Sequence, residues 1–351
     1  MRFTHDTLPQ RVAFGAGEAA ANVAAGVERL GGRRVMVVAG RSEAALADAV
    51  TAGVPVAVRH REVVMHVPAD VAQRARAVAA EHAADVLVAV GGGSTTGLAK
   101  AVALTTGLPI VAVPTTYAGS EATNVWGLTE GGRKTTGVDD RVLPRVVVYD
   151  ASLLLTLPVA LSVASGLNAL AHCVDSLWAP RADPINTALA LEGARGLAAG
   201  LPQVAADPRD VDGRERTLYG AYLAAVAFAS AGSGLHHKIC HVLGGLFDLP
   251  HAQTHAVVLP HVLALNAPAA RDAERRLAGA FDAPSAVEGL RRLRHELDAP
   301  RSLRDLGMPE DGVTAAADAV LAAVPAGNPT PVTREDLDDL LRRAWRGEEP
   351  Q

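Results

Sequence analysis

The pattern of hydrophobic and polar positions changes about half-way along the chain. Up to about Asp150, short runs of Val, Leu and Ile alternate with stretches whose apolar residues recur every three or four positions. The runs predict buried strands and the spacing predicts helices. Strands are predicted at 12–14, 34–39, 54–59, 85–90 and 109–113, and helices at 42–51, 69–82 and about 94–105. This alternation is typical of a parallel sheet with right-handed crossovers.

Beyond residues 150–158 the strand pattern nearly vanishes and helical spacing dominates. Helices are predicted at 162–178, 184–199, 213–231, 236–247, 269–281, 286–297, 310–324 and 334–345. The sequence therefore predicts two domains of ordinary size. An α/β domain with a parallel sheet occupies 1–157, and an all-α C-terminal domain occupies 158–351.

Composition narrows the class of protein. The chain has 351 residues, 49% of them hydrophobic and 20% charged, and a net charge of −5. No basic stripe is present, so we expect no nucleic-acid partner. We see no signal peptide, and no apolar run reaches the roughly 20 residues of a membrane span, so we expect a cytoplasmic protein without a membrane partner. Cys173 and Cys240 are interpreted as small packing residues and not as a disulfide.

A glycine-rich turn follows the predicted strand at 85–90. Gly91, Gly92, Gly93 and Ser94, with Thr95, join this strand to a helix. Glycines allow a diphosphate to approach the backbone closely, and a helix start attracts anions. An ordinary turn is the alternative, but three successive glycines exceed what a turn requires. Thr115 and Thr116 follow the next strand and add hydroxyls at the same edge, where open α/β sheets bind ligands.

The predicted strand at 34–39 runs into Gly40, Arg41 and Ser42. Dinucleotide folds that prefer NAD often place an acidic residue near this point to hold the ribose hydroxyls. We recognise none here, so Gly40 and Arg41 would tolerate a 2′-phosphate and could favour it. A solvated arginine on a loop is an equally good interpretation of Arg41.

Histidines in the second half resemble an incomplete metal site. Asn168 and His172 are four residues apart and share one helical face, as do His237 and His241. His251 follows Pro250, just beyond the predicted end of the helix at 236–247, and His236 and His255 lie nearby. A single histidine is usually a core or surface residue, but this many on matched faces favour an active site.

Four segments carry a family resemblance: GGGSTTGLAK (91–100), PTTYAGSEATNVWGLTEGGRKTTG (114–137), SGLNALAHCVD (165–175) and HHKICHVLGGLFDLPHAQTHAVVLPHVLALN (236–266). The chain resembles the iron-containing (group III) alcohol dehydrogenase superfamily, which shares its scaffold with dehydroquinate synthase, and within it the maleylacetate reductases. The resemblance implies a nucleotide-binding N-terminal domain followed by a helical substrate and catalytic domain.

The family's ligand positions also come from this resemblance. Metal-dependent relatives use one Asp and three His, which match Asn168, His172, His237 and His251, while His241 matches a further active-site histidine. Asn168 replaces the anionic ligand, and Gly97 replaces an acidic residue common in relatives. Maleylacetate reductases share both features and are described as needing no metal. We therefore expect no metal ion and treat these four positions as vestigial.

The implied activity is reduction of the maleylacetate carbon–carbon double bond to 3-oxoadipate by NADH or NADPH, in the degradation of aromatic compounds. Chlorinated analogues are further possible substrates, and a homodimer is implied. An enolate is a weaker base than an alkoxide, so hydrogen-bond donors could stabilise it without a metal. His172, His237, His241 and His251 are the predicted donors, with His241 as proton donor and His172 and His237 binding a carboxylate or the enolate. Asn168, in place of the Asp of the metal-dependent relatives, removes a negative charge that would repel a dicarboxylate substrate.

Three alternatives stay open at this point. A metal-dependent NAD(P) alcohol dehydrogenase or aldehyde reductase would still suit the three histidines. A lyase similar to dehydroquinate synthase would need a bound metal and a more charged pocket. A binding protein without catalysis would bind nucleotide without turnover. Lys134 could add positive charge near the site, although a solvated loop lysine is the simpler interpretation.

Overall fold

The computed structural model describes residues 2–131 and 133–350, with the backbone alone at 133 and 134, so the side chain of Lys134 lies outside the described residues. The chain forms two compact units. One unit comprises Thr7–Leu157, and the other comprises Met1–Asp6 with Pro158–Gln351.

A six-stranded parallel sheet organises the unit Thr7–Leu157. Its strands are β1 (Arg11–Phe14), β2 (Val35–Val38), β3 (Val56–His60), β4 (Val86–Gly91), β5 (Ile110–Pro114) and β8 (Val146–Tyr149). Their order in the sheet is β1-β8-β5-β4-β2-β3, and all five adjacent pairs are parallel. The predicted parallel sheet is therefore confirmed.

Both faces of this sheet are buried by helices. The four helices are α1 (Ala19–Arg29), α2 (Ala44–Val50), α3 (Ala69–Glu81) and α4 (Gly93–Thr106). Met36 and Val38 pack with α3 and α4 in one core, whereas Val35 and Val37 pack with α1 and α2 in the other. A strand buried on both faces has no polar side to alternate with. This explains the continuous apolar runs in the sequence.

Four elements of this unit were absent from the sequence predictions. They are α1, β8 and the antiparallel hairpin of β6 (Val125–Glu130) and β7 (Arg133–Val138). The hairpin strands are rich in Gly, Thr and charged residues, so they lack the apolar run by which buried strands are recognised. Helix α1 does bury residues at helical spacing, namely Ala19, Val23, Gly26 and Val27, although small alanines make up much of it.

The second unit is helical. Its helices are α5 (Val159–Ser176), α6 (Pro184–Ala206), α7 (Val211–Ala231), α8 (Leu235–Phe247), α9 (His251–Asn266), α10 (Arg271–Ala280), α11 (Ala286–Glu296), α12 (Gly312–Leu321) and α13 (Arg334–Arg346). Within the described residues no strand follows β8, which confirms the all-α prediction. No single described helix is long and apolar enough to cross a membrane; α7 and α8 pass such a test only as a pair bent by 95°.

Helix α9 changes the environment predicted for His251. His251 was predicted to follow Pro250 just beyond the end of the helix at 236–247, with no helix of its own. Instead, Pro250 caps α9, and His251 is the first residue of that helix. A proline just before a helix loses no hydrogen bond, since the first N–H groups have no partner within the helix. His251 and His255 therefore share one face of α9.

Candidate active site

The glycine turn is closely packed against hydroxyl side chains. Strand β4 ends at Gly91, whose φ of +152° disfavours any L side chain, and α4 begins at Gly93. A Cβ added at Gly91 would collide with the Thr95 hydroxyl. Glycine is therefore needed at this position, and the hydroxyl of Thr95 lies directly beside the turn.

The segment after β5 meets the same turn. The Thr115 N–H donates to the Gly91 carbonyl at 3.1 Å. A Cβ built on Gly92 would lie 3.0 Å from the Thr116 methyl, and one on Gly93 would lie 3.3 Å from Ala118. The structure thus brings the glycine turn and the predicted hydroxyls together at the carboxyl edge of the sheet, at the start of α4, and a helix start is a type of place that favours anions.

The end of β2 differs from what the sequence suggested. The Glu43 carboxylate folds back over Gly40, and a Cβ built on Gly40 would lie 2.5 Å from Glu43 Oε2. Ser42 donates its hydroxyl to the same oxygen at 2.8 Å, while Arg41 is exposed. The statement that no acidic residue lies at this strand end is therefore wrong, because the acid comes from three residues further along the chain.

In the helical unit, Asn168 and His172 lie on one face of α5, and both are buried. Asn168 Oδ1 and His172 Nδ1 have no hydrogen-bond partner. The His172 ring stacks on that of His237 from α8, with centroids 4.9 Å apart and planes at 15°. Phe228 of α7 contacts both rings, at centroid distances of 4.7 and 4.3 Å.

Asp175 sets the orientation of His237. One carboxylate oxygen accepts hydrogen bonds from His237 Nδ1 at 2.7 Å, from the His237 N–H at 3.2 Å and from the Gly234 N–H at 3.0 Å. The carboxylate thereby fixes the tautomer of His237 and leaves Nε2 as a lone pair, buried and unpartnered. Asp175 was not predicted as a functional residue, although it follows His172 by three positions and so lies one helical turn away.

The tightest group of ligand-type side chains is not the set that the resemblance predicted. His236, His237 and His255 each offer a ring nitrogen within 4.8 Å of the others, and within residues 2–131 and 133–350 no other such group of three or more His, Cys, Asp or Glu was found. His236 Nε2 lies 2.9 Å from His255 Nδ1, so these two rings share one proton. The sequence analysis noted His236 and His255 only as neighbours.

His241 and His251 lie at the open side of this cluster. The His241 ring is 6.1 Å from that of His237 and 6.5 Å from that of His251, and His251 is 4.4 Å from His255. His241 is half-buried and His251 is exposed. The structure therefore connects all the predicted histidines through ring contacts, but it places His251 at the rim and not within the buried group.

Burial controls the protonation of the inner rings. Desolvation lowers the pKa of His172 to about 4 and that of His236 to about 3, and it lowers the pKa of His237 and His255 well below the ordinary value. Burial also raises the pKa of Asp175 to about 7, against the pull of the N–H groups that donate to it. Near pH 7 the four inner imidazoles are therefore neutral.

Two family models together match most of the chain. The model described as "Iron-containing alcohol dehydrogenase" matches residues 9–151, and "Fe-containing alcohol dehydrogenase family, C-terminal" matches residues 162–345. The chain belongs to the iron-containing alcohol dehydrogenase family. Both the parallel-sheet unit and the helical unit are thus those of the family.

Several members of this family are similar over their full length. A maleylacetate reductase of Sphingobium indicum is 48% identical, covering 100% of this chain and 99% of the relative. The crystal structure of a maleylacetate reductase from Rhizobium sp. strain MTP-10005 is 42% identical, with a TM-score of 0.93 and complete coverage of both chains. An iron-containing alcohol dehydrogenase from Corynebacterium glutamicum is 62% identical, with a TM-score of 0.98, covering 100% of this chain and 98% of the other.

Membership of the iron-containing alcohol dehydrogenase family removes the basis for expecting no metal. The family is named for iron, and the buried side chains are suitable for it. Asn168 Oδ1, His172 Nδ1 and His237 Nε2 are unpartnered atoms of the kind that bind divalent transition metals. The Asp175–His237 hydrogen bond is the arrangement usual behind a metal-binding histidine. The expectation of a site without metal is therefore corrected: the donor set fits an iron ion.

Proposed function

We propose that this protein is an NAD(P)H-dependent reductase that converts maleylacetate to 3-oxoadipate, an oxidoreductase acting on a CH–CH group. The observation that carries the proposal is similarity over the whole chain to enzymes named maleylacetate reductase, at 48% identity to the relative from Sphingobium indicum. The neutral histidine cluster with Asn168 supports it, because position 168, one helical turn before His172, carries a neutral amide and not a carboxylate that would repel a dicarboxylate.

The reaction balances with one hydride and one proton. The dihydronicotinamide transfers a hydride, with both electrons, to the alkene carbon β to the ketone. The π electrons move to form an enolate, with its charge on the former ketone oxygen. A proton then bonds to the carbon α to the ketone and the carbonyl re-forms, which gives 3-oxoadipate and oxidised cofactor. A donor close to the enolate oxygen lowers the barrier, and a positioned acid supplies the proton.

The structure supports His241 as the proton donor. The four inner rings are held neutral by burial, and a neutral imidazole is a poor acid. His241 is half-buried and lies beside His237, so it can exchange protons with solvent. His172 binds a substrate carboxylate or the enolate, with Asn168 donating its amide N–H, and His251 lies at the rim. The same role predicted for His237 does not fit, because its Nδ1 donates to Asp175 and its bare Nε2 has no proton to offer an anion. An iron ion would be held by His237, His172 and Asn168 and would supply Lewis-acid polarisation of the ketone.

The unit Thr7–Leu157 binds the dinucleotide. Gly91, Gly92, Gly93, Ser94 and Thr95 hold the diphosphate, and Thr115 and Thr116 add hydroxyls beside it. Gly40 and Arg41, which follow the end of β2, are assigned to the adenosine end of the cofactor. The unit that contains 158–351 carries the substrate site.

The biological setting that we propose is the cytoplasmic degradation of aromatic compounds, with chlorinated maleylacetates as further substrates. A homodimer is proposed from the same resemblance. Strand β1 forms one edge of the sheet, and an uncovered edge can pair with a second copy. Light scattering after size-exclusion chromatography tests the dimer.

The decisive experiment follows NADH oxidation with maleylacetate, and in parallel NAD+ reduction with simple alcohols. We expect rapid NADH oxidation with formation of 3-oxoadipate, and little turnover of alcohols. Turnover of alcohols or aldehydes without turnover of maleylacetate would replace the proposal by an alcohol dehydrogenase. Repeating the assay after EDTA dialysis, and again with added Fe²⁺, measures what the ion contributes.

His241→Ala and His241→Phe test the proton donor. We expect kcat to fall by about 100-fold or more in both variants, because general acid catalysis contributes on that scale. The exposed His295 provides a matched control, since His295→Ala removes a histidine from α11, outside the cluster. Near-normal kcat in both His241 variants would exclude this role.

A further inference from the structure

We propose that the Glu43 carboxylate selects NADH against NADPH. The proposal rests on the cofactor class of the proposed function, but not on the identity of the substrate. It starts from the fold of the Glu43 side chain over Gly40. Because Gly40 has no Cβ, the carboxylate occupies the volume that a side chain at this position would fill, with Oε2 2.5 Å from a Cβ built there. The acid thus lies at the end of β2, as if it belonged to residue 40.

A hydrogen bond from Ser42 holds the carboxylate there. Ser42 donates its hydroxyl to Glu43 Oε2 at 2.8 Å. Glu43 directly precedes α2, where an acidic side chain often caps the helix, yet its side chain makes no capping hydrogen bond. Oε2 keeps a second lone pair and Oε1 is not engaged in the cap, so both oxygens can accept from a diol.

The sheet places this carboxylate beside the phosphate-binding turn. Strands β2 and β4 are adjacent and parallel, with Val38 opposite Ala89. Continuing that register by two residues sets Gly40 level with Gly91, one strand spacing of about 4.8 Å away. A dinucleotide whose diphosphate lies on the turn after β4 has its adenosine ribose over the end of the neighbouring strand. Glu43 is then within reach of the ribose 2′- and 3′-hydroxyls.

The chemistry of the two cofactors differs only at this point. The ribose of NADH offers two hydroxyl donors to a carboxylate, whereas NADPH presents a dianionic phosphate to the same negative charge. Arg41 would attract that phosphate, but its side chain is exposed and screened by salt. Glu43 lies over the backbone and is only half exposed, so its repulsion dominates.

The test measures dissociation constants for NADH and NADPH by protein fluorescence, without substrate. We expect the unmodified protein to bind NADH at least 10-fold more tightly than NADPH. Glu43→Gln keeps the size and the hydrogen bond to Ser42, and it should reduce this preference at least 10-fold. Asp48→Asn is the matched control, because it removes one exposed carboxylate from the same helix, where Asp48 pairs with Arg59. It should leave the ratio unchanged.

Competition with nucleotide fragments separates the ribose from the rest of the cofactor. Glu43→Gln should strengthen binding of 2′,5′-ADP relative to 5′-AMP. An unmodified protein that prefers NADPH, a ratio within twofold of the original in Glu43→Gln, or an equal change in Asp48→Asn would overturn the proposal. Because these binding assays contain no substrate, their results can be interpreted even if the protein does not reduce maleylacetate.

Discussion

At the residue scale, the site is defined by which polar atoms are buried without partners. Asn168 Oδ1 and His237 Nε2 are both buried and make no hydrogen bond. A buried polar atom without a partner costs about 1–3 kcal/mol, and such atoms persist where a ligand or ion satisfies them. Asp175 differs from these residues, because one of its oxygens already accepts hydrogen bonds that fix the His237 ring and the start of α8. The unpartnered atoms of Asn168 and His237 are thus available to a ligand, whereas Asp175 orients His237.

Replacement of Asp175 by asparagine tests that orienting role. Asparagine accepts fewer and weaker hydrogen bonds from His237 Nδ1, so His237 can rotate or change tautomer. We expect affinity for Fe²⁺ to fall 10- to 100-fold and kcat to fall on a similar scale, since mutations of such partners usually have that effect. Asp212→Asn, at an exposed carboxylate in α7, should change neither value. Unchanged iron affinity and kcat in Asp175→Asn would contradict this role.

The glycine turn gives a second residue-scale prediction. Gly91→Ala places a methyl group against the Thr95 hydroxyl in a backbone conformation that disfavours it. We expect the free energy of unfolding to fall by about 1–3 kcal/mol and the Kd for NADH to rise at least 10-fold. Gly107 is a matched control: it caps the other end of α4 with φ of +69°, and a Cβ there meets nothing within 4 Å. Gly107→Ala should cost about 1 kcal/mol without changing the Kd.

At the element scale, a buried lysine connects α4 to the hairpin of β6 and β7. Lys100 Nζ donates to the Thr123 carbonyl at 2.8 Å, to the Thr123 hydroxyl at 3.0 Å and to the Val125 carbonyl at 2.8 Å. Glu121, also buried, accepts from the Tyr149 hydroxyl at 2.7 Å. Burial lowers the pKa of Lys100 to about 7, and it raises that of Glu121. Helix α4, which begins at the glycine turn, is therefore anchored by the Lys100 ammonium group, whose burial costs free energy.

This arrangement predicts how stability depends on pH. In the unfolded chain Lys100 is protonated up to its ordinary pKa of 10.5, whereas in the folded protein it loses its proton near 7. Between these values the unfolded state binds more protons, so this group makes stability rise with pH, by at most about 1.4 kcal/mol per unit. Lys100→Met should lose that rise, and it should cost on the order of 3 kcal/mol because three acceptors lose their donor. Urea unfolding at pH 7 and pH 9 measures the stability and its pH dependence. An equal pH dependence in the unmodified protein and in Lys100→Met would contradict this role of Lys100.

At the scale of the whole molecule, the two units carry different chemistry. The residues proposed to bind the dinucleotide lie in Thr7–Leu157, and the histidine cluster lies wholly in the helical unit. A ligand stabilises the unit that binds it, because only the folded form has the site. The cofactor should therefore protect the sheet unit first.

Calorimetry with and without cofactor tests this division. NADH at 100 times its Kd should stabilise the folded form by about 2.7 kcal/mol, which raises the Tm of a unit of about 150 residues by roughly 5–11 °C. NADPH at the same concentration should give a smaller shift, because of Glu43. Gly91→Ala should lose about half of the shift or more at the same NADH concentration, since its Kd is expected to rise at least 10-fold. An equal shift in that variant would place the cofactor elsewhere.

The sequence alone determined the order of elements, the glycine turn and the histidine faces, because these depend on spacing along one helix or strand. The sequence also identified the protein family, since long segments resemble it over nearly the whole chain. Apolar runs identified β4 and β5, but α9 was hidden by Pro250 and Pro260, whose tolerance depends on where a helix begins. The sequence pattern therefore did not predict α9, because whether a proline is tolerated depends on where the helix begins.

Only the tertiary structure decided which side chains meet. His236 and His255 are 19 positions apart, and Asp175 and His237 are 62 apart, so their contacts depend on how α5, α8 and α9 pack. The Glu43 carboxylate lies at the position of Gly40 because its side chain folds back, which spacing along the chain does not predict. Burial likewise decided the protonation of the inner histidines. Distances across the fold and access to water are properties of the packed chain, and a linear sequence specifies them only through that packing.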